Sequence, residues 1–87
     1  MVIHYFSDAL VEARKKKGLS KSQVAESFGW MGMHYGRFEK GHIFPTKANI
    51  DKFASLMDMT VSEVENLIEM EKQSRLDDLD QRVKKTK

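Results

Sequence analysis

The single proline, Pro45, and all five glycines, at 18, 29, 32, 36 and 41, fall between positions 18 and 45 of this 87-residue chain. Helix breakers at that density divide the segment into short pieces, while the flanks are free to run longer. No sustained apolar–polar alternation competes as a strand signal. Helical spacing recurs instead. Phe6, Leu10 and Ala13 repeat at i, i+4, i+7, and Val24, Ala25 and Phe28 follow. Met31, Tyr35 and Phe38 form a third stripe, Ile50, Phe53, Ala54 and Met57 a fourth, and Val64, Leu67 and Ile68 open a fifth. The expected architecture is all-α, with five helices.

Local chemistry marks the boundaries. Lys15, Lys16 and Lys17 crowd the end of the first helix, where cations suit the macrodipole, and Gly18 takes the C′ position. Ser20 with Gln23, and Thr60 with Glu63, have the spacing of a capping box. Gly29 closes the second helix, Gly41 and Pro45 close the third, and Thr46 is the expected N-cap of the fourth. These signals predict helices over 7–17, 20–28, 31–40 and 46–57, and from 61 to roughly 74. Beyond Ile68 the pattern thins: Leu76, Leu79 and Val83 keep a 3-4 spacing, but Glu69 and Lys72 are polar. Residues 1–70 are therefore expected to form the domain, and 71–87 a charged helical extension or tail that is partly frayed at its RVKKTK end.

Composition excludes several functions. Without cysteine, disulfides, thiolate metal sites and cysteine nucleophiles are out. No apolar run is long enough to span a membrane, and MVIHYFSDAL does not read as a secretory signal, so a cytoplasmic protein is expected. No nucleophile elbow, phosphate-binding glycine loop or cleft-flanking carboxylate pair supports an enzyme, and no cofactor is expected. The net charge of +2 is small, but residues 1–60 carry a balance of +3 and residues 61–87 a balance of −1. The basic excess lies in the front of the chain.

The informative segment is SKSQVAESFGWMGMHYGRFEKG. Two helices crossing steeply through a very short turn need a small residue at the crossing, a turn residue tolerant of positive φ, and an apolar plug on the second helix. Ala25, Gly29 and Tyr35 meet those demands, spaced by four and six. Around them stand Leu10, Arg14, Gly18-Leu19-Ser20, Val24, Phe28, Arg37-Phe38-Glu39, Gly41, Pro45, Ile50, Phe53-Ala54, Met57 and Met59-Thr60. Over roughly residues 7–70 this combination resembles the Cro and lambda-repressor-like (Xre-type) helix-turn-helix family. The resemblance implies a five-helix DNA-binding domain whose third helix enters the major groove of double-stranded DNA, usually as a homodimer. It also implies an Arg14–Glu39 pair bridging the first and third helices, and a dimer contact near Thr60, Val61, Val64, Leu67 and Ile68. Lys21 stands where the family often has glutamine, and the third helix opens on Trp30-Met31-Gly32-Met33-His34 rather than Ser, Thr or Gln.

At 100° per residue, Met31, Tyr35 and Phe38 share an inward face, and Met33, Gly36, Arg37 and Lys40 point the other way with Gly32 and His34 on the flanks. Base readout is assigned to Gly32, Met33, His34, Gly36 and Arg37. Arg37 suits a guanine edge, Met33 a thymine methyl, and Gly36 allows close approach. Backbone contacts are assigned to Ser20, Lys21, Lys40 and His42. A soft-metal reading of Met31, Met33 and His34 is set aside, because methionine is a common gap-filler and His4 and His42 lack ligand spacing, so no metal is expected. Trp30 is expected to pack in the turn rather than stack on a base, and Lys15–Lys17 to be a solvated helix end. The reading that follows is a sequence-specific dimeric repressor on an inverted-repeat operator. Two alternatives stay open: an antitoxin-type autoregulator, with a toxin or antirepressor as protein partner, and a protein–protein module that kept the fold without reading DNA.

Overall fold

The computed structural model describes residues 2–85, with side chains through Leu79. Five helices form: α1 (Tyr5–Lys16), α2 (Lys21–Ser27), α3 (Gly32–Glu39), α4 (Ile50–Met57) and α5 (Val61–Lys85), with no strand among the described residues. The all-α, five-helix architecture is thus the one the periodicities predict.

Their apolar stripes meet in one core. Phe6 and Leu10 of α1, Val24 and Ala25 of α2, Tyr35 and Phe38 of α3, Phe53 of α4, and Val64 and Ile68 of α5 are all buried. Much of that core is aromatic. Phe53 lies 4.8–5.8 Å, centroid to centroid, from Phe6, Phe28, Trp30 and Phe38. Edge-to-face and tilted geometries of this kind add to the gain from burial alone.

Both predicted capping boxes form. The Ser20 hydroxyl accepts from Gln23 N–H at 3.1 Å while Gln23 Oε1 accepts from Ser20 N–H at 2.7 Å. Thr60 and Glu63 repeat the exchange at 3.1 Å in each direction. Three boundaries depart most from expectation: the starts of α4 and α1 and the end of α5. The start of α4 lies at Ile50, not 46: residues 46–49 make a turn in which the Thr46 carbonyl accepts from Asn49 and Ile50 N–H, and no side chain caps the helix. The C-cap of α4 is Asp58 in the left-handed region, φ 54°, a conformation a short polar side chain tolerates. Lys17 reaches across from the end of α1 to Asp58 (3.4 Å) and the Ser55 carbonyl (3.5 Å), so one of the three clustered lysines is engaged within the chain.

The other two departures are linked. α1 begins two residues early, and α5 continues through Lys85, past the helix end expected at roughly 74. One residue links the two findings. The N-cap of α1, His4, makes no side-chain cap, yet the Glu71 carboxylate, fully buried on α5, accepts from Phe6 N–H and Ser7 N–H, both at 3.0 Å. The Ser7 hydroxyl donates between its two oxygens at 3.1 and 3.0 Å, and His4 Nδ1 stands 3.2 Å away. A carboxylate here satisfies orphan donors and sits at the positive end of the helix. Residues 71–75 therefore pack on the globule rather than trailing from it. Helix also extends over the part of the expected frayed tail up to Lys85; Thr86 and Lys87 lie outside the described residues.

Replacing Glu71 with alanine strands these buried donors. We expect Glu71→Ala to lose about 3 kcal/mol of stability in urea denaturation. A loss within about 0.5 kcal/mol, the range of an ordinary surface substitution, would contradict this role.

Candidate nucleic-acid interface

α2 and α3 are joined by the turn 28–31, and each element of that turn has a local cause. Gly29 adopts φ 77°, which its missing Cβ permits, and Trp30 N–H donates back to the Ala25 carbonyl at 2.8 Å. Ala25 is buried at the crossing, and Tyr35 and Phe38 plug beneath it. A contact the sequence did not suggest pins the turn from outside. Lys52 of α4 donates to the Phe28 carbonyl at 2.8 Å, and its ammonium lies 5.4 Å from the Trp30 ring centre.

Met31 corrects the expected facing of α3. It is 81% exposed rather than inward, because α3 starts at Gly32 and Met31 is its extended N-cap (φ −79°, ψ 150°), outside the helical phase. Trp30 takes the inward place, stacked on Phe38 at 5.3 Å with ring planes 8° apart. The Trp30 packing expected from sequence is what the structure has.

The far end of α3 is held by a bidentate ion pair. Arg14 Nε donates to Glu39 Oε2 at 2.7 Å and Arg14 Nη2 to Glu39 Oε1 at 3.2 Å, while Nη1 donates to the Leu19 carbonyl at 2.9 Å. The pair implied by resemblance is present and nearly buried, and each of the three guanidinium nitrogens donates a hydrogen bond. The hydrogen bond to Glu39 keeps the Arg14 guanidinium charged beyond its ordinary range. Tyr35 lies beside this pair, near enough to feel its charges, but its buried hydroxyl meets no partner with hydrogen-bond geometry. Burial first, and then the Glu39 carboxylate, push the phenol well above its ordinary pKa.

The outward stripe of α3 carries Met33, Gly36, Arg37 and Lys40 at i, i+3, i+4, i+7, with no carboxylate on it. Met33, Arg37 and Lys40 are exposed, Met33 to 77%. Gly36 has little surface of its own, yet a Cβ built there meets nothing within 4 Å, so the space just outside the helix at this point is empty. Gly32 faces α2 instead, with Ser22 Oγ 3.7 Å from where a Cβ would stand. His34 is exposed but rests edge-on against Trp30 (4.7 Å) and Phe38 (5.5 Å). Ser20, Lys21 and His42 are exposed at the ends of α2 and α3. Gly32 therefore drops from the outward set, and the remainder is surface-accessible apart from the Gly36 backbone's own shielding.

The residues expected at a dimer contact separate. Val64 and Ile68 are 0% and 5% exposed, turned into the chain's own core by the register of α5, and have no surface to offer a second copy. This corrects their assignment. Thr60 is exposed but serves the α5 cap, and Val61 and Leu67 are half-buried at the rim. Among the described residues no group of three or more His, Cys, Asp or Glu side chains has a metal-holding arrangement, and no helix is long and apolar enough to cross a membrane. Compared with known proteins, the chain matches no family model and no curated protein.

Two stability measurements check this geometry. The Tyr35 pKa is raised on folding, so its contribution is complete below the unfolded phenol value near pH 10 and is lost as pH climbs above it. Tyr35→Phe should flatten that alkaline loss and, by removing an unpartnered hydroxyl, cost less than about 1 kcal/mol at neutral pH. In thermal unfolding Gly36→Ala should gain about 0.5–1 kcal/mol, because the added methyl enters open space in a helix. Gly29→Ala should lose about 1 kcal/mol or more, its φ being positive.

Proposed function

We propose that this protein is a sequence-specific DNA-binding regulator of the Xre helix-turn-helix type, acting as a repressor by occupying an operator with α3 in the major groove. The observation that carries the reading is the conjunction at α3. Tyr35, Phe38 and the Arg14–Glu39 pair lock one face, and the opposite face presents Met33, an open Gly36, Arg37 and Lys40 with no acidic residue among them. Arg37 is suited to pair bidentately with guanine O6 and N7, and Met33 to pack on a thymine methyl. Lys21, Lys40 and His42, with the Ser20 hydroxyl, are suited to phosphates and set register without reading sequence. Toxin–antitoxin autoregulation is a subclass of the same reading.

Dimerisation on a two-fold operator needs a surface other than Val64 and Ile68. On α5 the rim residue Leu67 continues into Met70, 46% exposed, and this side of the helix is bordered by Met59 and by Ile3, 47% exposed. That surface suits a second copy, burying apolar area the single chain leaves in water.

A second reading rests on a specific observation. Met31 and Met33 are the most exposed large apolar residues among those described, and such a pair also suits docking on a protein. Site selection from random duplex DNA at two salt concentrations separates the readings. An enriched inverted repeat, bound more weakly as salt rises, is expected for the regulator. No enrichment would move the assignment to the docking module. On the selected duplex Arg37→Ala should cost about 1–3 kcal/mol and relax preference at one base pair, and Gly36→Leu should abolish tight binding without unfolding the chain. Wild-type affinity in both variants would refute the orientation assigned to α3.

A further inference from the structure

The segment leaving α3 carries Lys40 and His42, and it is α5 that holds this segment in place. Gly41 is buried at φ 76°, and a Cβ there would stand 2.8 Å from Arg75 Nη2, 3.0 Å from Glu71 Oε2 and 3.2 Å from His4 Nδ1. Three residues on, the Phe44 ring lies under two cations of α5, with the Arg75 guanidinium at 5.0 Å and the Lys72 ammonium at 5.5 Å. Arg75 therefore touches the segment at both ends, against the Gly41 backbone and over the Phe44 face. Its guanidinium is 3.6 Å from the buried Glu71 carboxylate, which is itself fixed by the first turn of α1. A planar, delocalised cation is suited to lie flat on a ring while one edge meets a carboxylate; a lysine is not.

We propose that Arg75, oriented by Glu71, is a positioning residue for the 41–44 segment, so that the middle of α5 sets where Lys40 and His42 stand relative to α3. The Arg75 side chain is one-third exposed, so the contact lies at the edge of the core. The free-protein part of this assignment is independent of any ligand. Its consequence for DNA rests on the function proposed above.

The test uses the full chain with Arg75→Ala, and Gln73→Ala as a control on an exposed α5 position. In the free protein, backbone amide resonances of Gly41 through Phe44 should move in Arg75→Ala and stay in place in Gln73→Ala, with thermal midpoints of both close to wild type. Unmoved loop resonances in Arg75→Ala overturn the proposal. On the selected duplex, Arg75→Ala should weaken binding about two- to fivefold. That loss should vanish in a background where Lys40 and His42 are both alanine, because Arg75 then has nothing left to position. Equal loss in both backgrounds would overturn the positioning role and make Arg75 a direct contact. If wild type selects no duplex, the DNA reading fails, and the loop resonances alone decide whether Arg75 positions the segment.

Discussion

Phe53 is the contact on which the helices depend together. A short α4 delivers one fully buried ring that meets Phe6 of α1, Phe28 at the end of α2, Trp30 in the turn and Phe38 of α3. In a chain of 87 residues, where surface is large relative to volume, such convergence replaces the depth a bigger core would have. It also explains why the turn can be so glycine-poor on its inner side. Phe28 and Trp30 are not loop residues in any energetic sense, and the Lys52 bond to the Phe28 carbonyl fastens the same helix to the same place.

Around that centre, α1 acts as a brace with a polar anchorage at each end. At its C-terminal end Arg14 takes Glu39 from α3; at its N-terminal end Glu71 from α5 takes the free N–H groups. Both anchorages are buried, and their buried side-chain nitrogens and oxygens find partners, the condition under which buried charge is tolerated. The exception is the Tyr35 hydroxyl, enclosed beside the first anchorage without a partner. The C-terminal end of α3 is thereby held from two directions, by Glu39 on one side and by the packing of Gly41 against Glu71 and Arg75 on the other. In the proposed role of α3 such fixation leaves little ordering to be done on binding.

The outward face of α3 has the opposite character. Gly36 weakens the helix, Met31 and Met33 stand in water, and Arg37 and Lys40 have no carboxylate on their own stripe. Each feature costs stability or solubility in the isolated chain, and each acquires a purpose if a polyanion with apolar groove features is applied there. The same asymmetry separates this face from the α5 rim at Leu67 and Met70, where the exposed apolar surface is flanked by the neutral and acidic residues of α5.

Local chemistry alone determined much of this. Capping boxes at Ser20–Gln23 and Thr60–Glu63, the positive φ at Gly29, the stripes of α1, α2 and α4, and the Arg14–Glu39 pair were all legible, because each depends on spacing within a helix or on a matched set of motif residues. The misplacements have one common origin. The helical phase does not reach Met31, because Gly32 begins the helix, and Trp30 takes the inward place by tertiary stacking. Val64 and Ile68 read equally well as core or interface until the packing of α5 chose. Glu71 and Arg75 sit in a stretch whose charge reads as a solvated tail, and only the arrival of the first turn of α1, more than sixty positions away in sequence, turns that charge into a cap. Sequence periodicity reports which residues share a face; which donors a distant carboxylate must satisfy is decided by the fold that brings them together.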